Sequence, residues 1–177
     1  MEEDTLFIQL ANLQNRMNIA DSAESNTQLI TALNGILADT VSISHEVQGF
    51  HWNVKGSDFS QYHALFGEIY SSINSRIDDI AESILRLGYD APFHLSDFIK
   101  LRTIGESSVI DTPQSMATEL LSGITALIES VNSGFDIANE LRQQGITTLL
   151  GEVIFDLQKW AWQLRASIGA QLPNKLI

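Results

Sequence analysis

The chain contains no cysteine in 177 residues, which excludes disulfides and thiolate metal sites. Proline occurs three times, so helices can run long without interruption. No stretch approaches the roughly 18–20 consecutive apolar residues of a membrane span. The opening residues, MEEDTLFIQL, are acidic and lack the basic segment of a secretory signal. These absences set the expectation of a cytoplasmic protein with no membrane partner. Positive charge is also scarce, 10 Lys and Arg against 22 Asp and Glu, for a net charge of −12. Such a surface disfavours phosphate backbones, which are held by clustered Lys and Arg. It favours cations instead. The hydrophobic fraction of 44% is ample for one domain with a sizeable core.

Four long segments carry helical periodicity. The first runs from about Thr27 to Asn53, with Leu29, Leu33, Ile36, Leu37 and Val41 on one face. The second runs from about Phe59 to Leu87, with Phe66, Ile69, Tyr70, Ile73, Ile77, Ile80, Ile84 and Leu87 on a narrow stripe, and Gly88 as its stop. The third opens at Asp111-Thr112-Pro113, where Thr112 suits a cap and Pro113 the first helical position. Its core face holds Met116, Leu120, Ile124, Leu127, Val131 and Phe135. Gly145 divides it from the fourth, which buries Leu149, Leu150, Val153, Leu157, Trp160 or Ala161, and Leu164, and ends near Ile168. Short links pair the first helix with the second and the third with the fourth as antiparallel hairpins. The link from Tyr89 to Asp111 is too long to be structureless, and Ser96 to Leu101 suits a short helix within it. Four helices with one long crossover predict an all-α, ferritin-like four-helix bundle over residues 27–170. Residues 1–26 would form an N-terminal tail with room for a short helix along Leu6, Leu10, Leu13 and Met17, and residues 171–177 a C-terminal tail.

His51, His63, Asp78 and Glu82 are the candidate metal ligands. With Phe66 as zero on the helical wheel, His63 falls at about 60°, position 67 at about 100°, Asp78 at about 120° and Glu82 at about 160°. They form their own face beside the apolar stripe. Axial distance separates them: His63 and Asp78 are about 22 Å apart along one helix. Metal–ligand bonds span only about 2.0–2.6 Å, so no ion touches both within one chain. An antiparallel two-fold pairing with a second copy would bring His63 of one subunit opposite Asp78 and Glu82 of the other, with His51 close by. Mixed imidazole and carboxylate donors suit iron, zinc or manganese. The E-x-x-H pair that builds di-iron sites inside a single bundle does not occur. An Asp and a Glu at i,i+4 are most often a solvated face, and His45 and His94 read as structural or merely exposed.

Phe50-His51-Trp52-Asn53-Val54-Lys55-Gly56, then Phe59, His63, Phe66, Glu68 and Tyr70, then Asp78-Asp79-Ile80-Ala81-Glu82, resembles the Dps-type miniferritins, named for a DNA-binding protein of starved cells. The resemblance continues through Leu87-Gly88, Ala91-Pro92, the Thr112-Pro113 helix start and Trp162-Gln163-Leu164-Arg165. It implies a hollow homo-dodecamer that oxidises Fe(II), preferably with hydrogen peroxide, and stores Fe(III) inside. The oxidation centres would lie at two-fold interfaces, with His51 and His63 from one subunit and Asp78 and Glu82 from the other. Trp52 would sit beside that centre, either as an electron donor that quenches radicals or as a packing aromatic.

Three positions depart from the family pattern. The family usually has Asp four residues after the second His, where this chain has Gly67. One iron position keeps its ligands and the second loses a carboxylate; the glycine could equally serve close backbone packing at the two-fold. Acidic residues that line a three-fold iron channel in the family are missing from Arg142-Gln143-Gln144-Gly145-Ile146-Thr147-Thr148, with Asp136, Glu140 and Glu152 nearby. The Lys-rich tails of DNA-binding members are replaced by an N-terminus with five carboxylates against Arg16 and a C-terminus with Lys175, which argues against DNA binding. The expected function is ferroxidase and iron storage with an altered site. The alternative is a protective shell with weak iron chemistry.

Overall fold

The computed structural model describes residues 2–56, 58–107 and 111–170, with side chains from residue 26 onward. Five helices follow in order: α1 (Glu2–Asn53), α2 (Phe59–Arg86), α3 (Leu95–Leu101), α4 (Pro113–Glu140) and α5 (Gln144–Ser167). The four long helices and the short one in the crossover are those the periodicity predicts. α1 starts well before Thr27, at Glu2. The side chains of Leu6, Leu10, Leu13 and Met17, and the whole of residues 171–177, lie outside the described residues.

α1 packs on α2 and α4, α5 packs on α4 and α2, and α3 lies on α1. The core runs between the four long helices through Leu33, Ile36, Phe66, Ile69, Ile80, Leu120, Leu127 and Leu150, all at 0% exposure. Trp160 and Ala161 are both buried. Val41, Tyr70, Ile77, Leu87, Phe135 and Leu149 sit at its margin, half-buried.

The helix ends follow local chemistry. At α4, Thr112 and Ser115 cap each other's backbone and Pro113 occupies the first turn. α2 and α5 end in paired backbone bonds closed by a left-handed glycine. Gly88 (φ 85°) donates to the Leu85 carbonyl while Tyr89 donates to that of Ile84. Gly169 (φ 68°) closes α5 in the same way. α4 makes the same closure with Arg142 at φ 56°: Arg142 N–H reaches the Asn139 carbonyl at 3.0 Å and Gln143 N–H that of Ala138 at 2.8 Å. The break between α4 and α5 thus falls on Arg142, and Gly145 lies within the first turn of α5 instead of separating the helices.

The crossover is tied to α1 by two carboxylates one pair of turns apart. Asp39, fully buried, accepts from Thr103 N–H at 2.7 Å, Thr103 Oγ1 at 2.8 Å and Ile104 N–H at 3.0 Å. Glu46 accepts from the backbone and hydroxyl of Ser107. This satisfies backbone donors that the irregular segment cannot pair with itself.

Candidate metal centre

The α1–α2 hairpin brings His51, in the last turn of α1, beside His63, in the second turn of α2. Beneath them the core rings of Phe50 and Phe66 meet at 5.8 Å and fix the register of the hairpin. The two imidazoles stack with centroids 3.8 Å apart and planes 19° from parallel. Each ring also bonds to the other residue's backbone. His51 Nδ1 lies 2.7 Å from the His63 carbonyl, and His63 Nδ1 lies 2.8 Å from the His51 carbonyl. A carbonyl oxygen only accepts, so each Nδ1 carries the proton. In a neutral imidazole that leaves the lone pair on Nε2, the state required of a metal ligand. Phe59 adds a third ring, stacked on His63 at 4.9 Å.

Gly67 follows His63 by one helical turn. A Cβ placed there would stand 3.1 Å from both Cε1 and Nδ1 of His51. Position 67 therefore faces the imidazole of its own chain.

Asp78 and Glu82 lie farther along α2 and are exposed. Among the described residues no three His, Asp or Glu side chains converge. Glu82 pairs with Arg86 at 2.7 Å, an exposed i,i+4 contact. Such a contact contributes only about 0.3–0.5 kcal/mol, little against a bound cation. Trp52 is 63% exposed and stands outside its own subunit's core. His45 and His94 are both exposed, His94 beside the ring of Phe93 at the start of α3.

Comparison with known proteins places the fold. The ferritin family, as a ferritin-like domain, matches residues 30–171. The DNA protection during starvation protein 2 of Bacillus anthracis is 30% identical over 141 residues, covering 80% of this chain and 97% of that protein. The chain belongs to the Dps-type miniferritins. Among solved structures, Dps from Thermosynechococcus elongatus superposes with a TM-score of 0.81 at 25% identity, covering 87% of this chain and 97% of that one. A Vibrio cholerae Dps protein, described as a member of a broad superfamily of ferritin-like diiron-carboxylate proteins, gives a TM-score of 0.78 at 29% identity, over 82% of this chain and 91% of that one.

Two features of this miniferritin have no expectation behind them. The Phe59–His63 stack carried a signal, an aromatic four residues before a histidine on one helix. The Arg76 cluster carried none. Arg76 binds Asp156 at 2.6 Å and Glu152 at 3.1 Å, joining α2 to α5. The hydrogen bond to Asp156 holds its guanidinium above its ordinary pKa, against a smaller opposing effect of burial. Glu152, one of the carboxylates near the α4–α5 turn, is engaged there.

Proposed function

We propose that this miniferritin oxidises Fe(II) with hydrogen peroxide or oxygen at centres shared between two subunits, and stores Fe(III) in a cytoplasmic dodecameric shell. Family membership supports the class of reaction. The observation that carries the reading is the His51–His63 pair, two imidazoles fixed with Nε2 free for metal. His51 and His63 of one subunit, with Asp78 and Glu82 of its neighbour, form the donor set, which also suits zinc or manganese.

Electron counting shows why the second iron position matters. Peroxide needs two electrons to become two hydroxides, one from each of two Fe(II). A centre holding a single iron delivers one electron and leaves a hydroxyl radical. With Gly67 in place of a carboxylate, the second position depends on imidazole and water. Trp52, exposed and adjacent in sequence to His51, would give up the missing electron to such a radical.

A protective shell with weak iron oxidation is the second reading. Gly67, standing where a carboxylate would bind metal, favours it.

Complementation separates these readings. His51→Ala/His63→Ala and Asp78→Ala/Glu82→Ala proteins are each expected to lose peroxide-dependent Fe(II) oxidation. Unfolded and reassembled together in equal amounts, they should regain about one quarter of the native rate, because half of the two-fold interfaces are mixed and each holds one whole centre. No recovery in shells shown to be mixed would sink the shared-centre reading. A native rate no faster than that of free Fe(II) with peroxide would favour the weak shell.

A further inference from the structure

The backbone at Gly67 is ordinary helix, unlike that of Gly56, Gly88 and Gly169, which have positive φ. Conformation therefore does not call for glycine there, and glycine weakens a helix relative to alanine. Space does call for it. A Cβ at 67 would approach the His51 ring to 3.1 Å at two atoms, where ordinary contact begins at 3.4 Å. To restore ordinary contact the ring would have to give by about 0.3 Å, and its 2.7 Å bond to the His63 carbonyl and its 3.8 Å stack on the His63 ring are the contacts such a shift would disturb. Gly145, also helical, has nothing within 4 Å of the same virtual atom.

We propose that Gly67 is a positioning residue: its missing side chain lets His51 reach the His63 carbonyl, which locks the stacked imidazoles as a pair of Nε2 donors for a divalent metal. The inference rests on the reading of His51 and His63 as ligands. It adds that their tautomers are set before any metal arrives, and that position 67 acts through His51. In this chain, space for an ordered imidazole pair stands where a carboxylate would bind metal directly.

Gly67→Ala tests this without adding a ligand, and the change favours the helix, so folding is not at risk. In metal-free protein carrying 15N-histidine, solid-state nitrogen spectra should show His51 and His63 as Nδ1–H forms. In Gly67→Ala, His51 should leave that form. Co(II), which is not oxidised under these conditions, should bind Gly67→Ala about tenfold more weakly, the usual cost of losing a group that orients a ligand. In a His51→Ala background the same substitution should change Co(II) affinity no further. Unchanged nitrogen spectra in Gly67→Ala overturn the inference, as does an equal loss of Co(II) affinity with and without His51. Altered spectra in a protein that binds no Co(II) even when unsubstituted overturn the ligand reading, and with it the donor-pair part of the inference.

Discussion

Asp39 offers a sharp test of what holds the crossover. Its carboxylate is fully buried and meets three donors, two of them backbone N–H groups of residues 103 and 104. Asp39→Asn keeps the shape and one acceptor oxygen. The oxygen that met Thr103 Oγ1 becomes an amide nitrogen, and the hydroxyl can turn to accept from it. What is lost is charge assistance, offset in part by no longer burying a charge, for a net cost of about 1 kcal/mol. Asp39→Ala removes all three bonds and strands the half-buried Ile104 N–H, which costs about 3–4 kcal/mol. A chain of this size shifts its Tm by about 2–4 °C per kcal/mol, so the expected losses are about 2–4 °C for Asn and about 6–16 °C for Ala. Thermal melts at one fixed protein concentration measure both, since any assembly would make Tm concentration-dependent. Hydrogen exchange at the amides of residues 103 and 104 should quicken in the Ala variant and stay slow in the Asn variant. Equal losses in the two variants would refute acceptor count as the origin of the stability. A loss below 2 °C for Ala would show that the crossover is held by other contacts.

Two further outcomes are expected. Arg142→Gly removes a left-handed non-glycine residue at a cost in unfolded-chain freedom, for a net gain of about 0.5–1 kcal/mol; a lower Tm in the same melts would contradict it. Duplex DNA should show no retardation by this protein even at low salt, given its charge of −12. A gel shift that vanishes at moderate salt would reveal a cationic patch that the overall charge hides.

The helices were legible because burial leaves a period. The stripe from Phe66 to Ile84 reads directly as the inward face of α2, and Thr112-Pro113 as the start of α4. The α4–α5 break was misplaced because glycine is the usual left-handed residue, and nothing local marks Arg142 for that role. At the site, residue types and axial spacing gave the expectation that one chain would not complete the centre. The ring stack and the crossed Nδ1–carbonyl bonds were not legible, since they depend on how two helix ends meet across a five-residue loop. Gly67 was read from the sequence as a lost ligand or a close backbone approach. Its contact with His51 appears only once the hairpin is closed. Arg76 escaped notice because a single charge on a helix carries no periodic signal of its partners.

The Arg76 cluster has a mechanical consequence. On the α2 wheel, Ser72 and Arg76 lie at about 240° and about 280°, roughly opposite the span from about 60° to about 160° that holds His63, position 67, Asp78 and Glu82. Ser72 takes the indole N–H of Trp160 at 2.9 Å, and Arg76 takes Asp156 and Glu152, so α5 grips α2 from behind. α2 is keyed like a shaft. It cannot roll to hide its outward face without breaking polar contacts a half-turn away. The outward face of α2 is therefore held at a set angle within the subunit, and any partner that binds there would meet a surface already fixed.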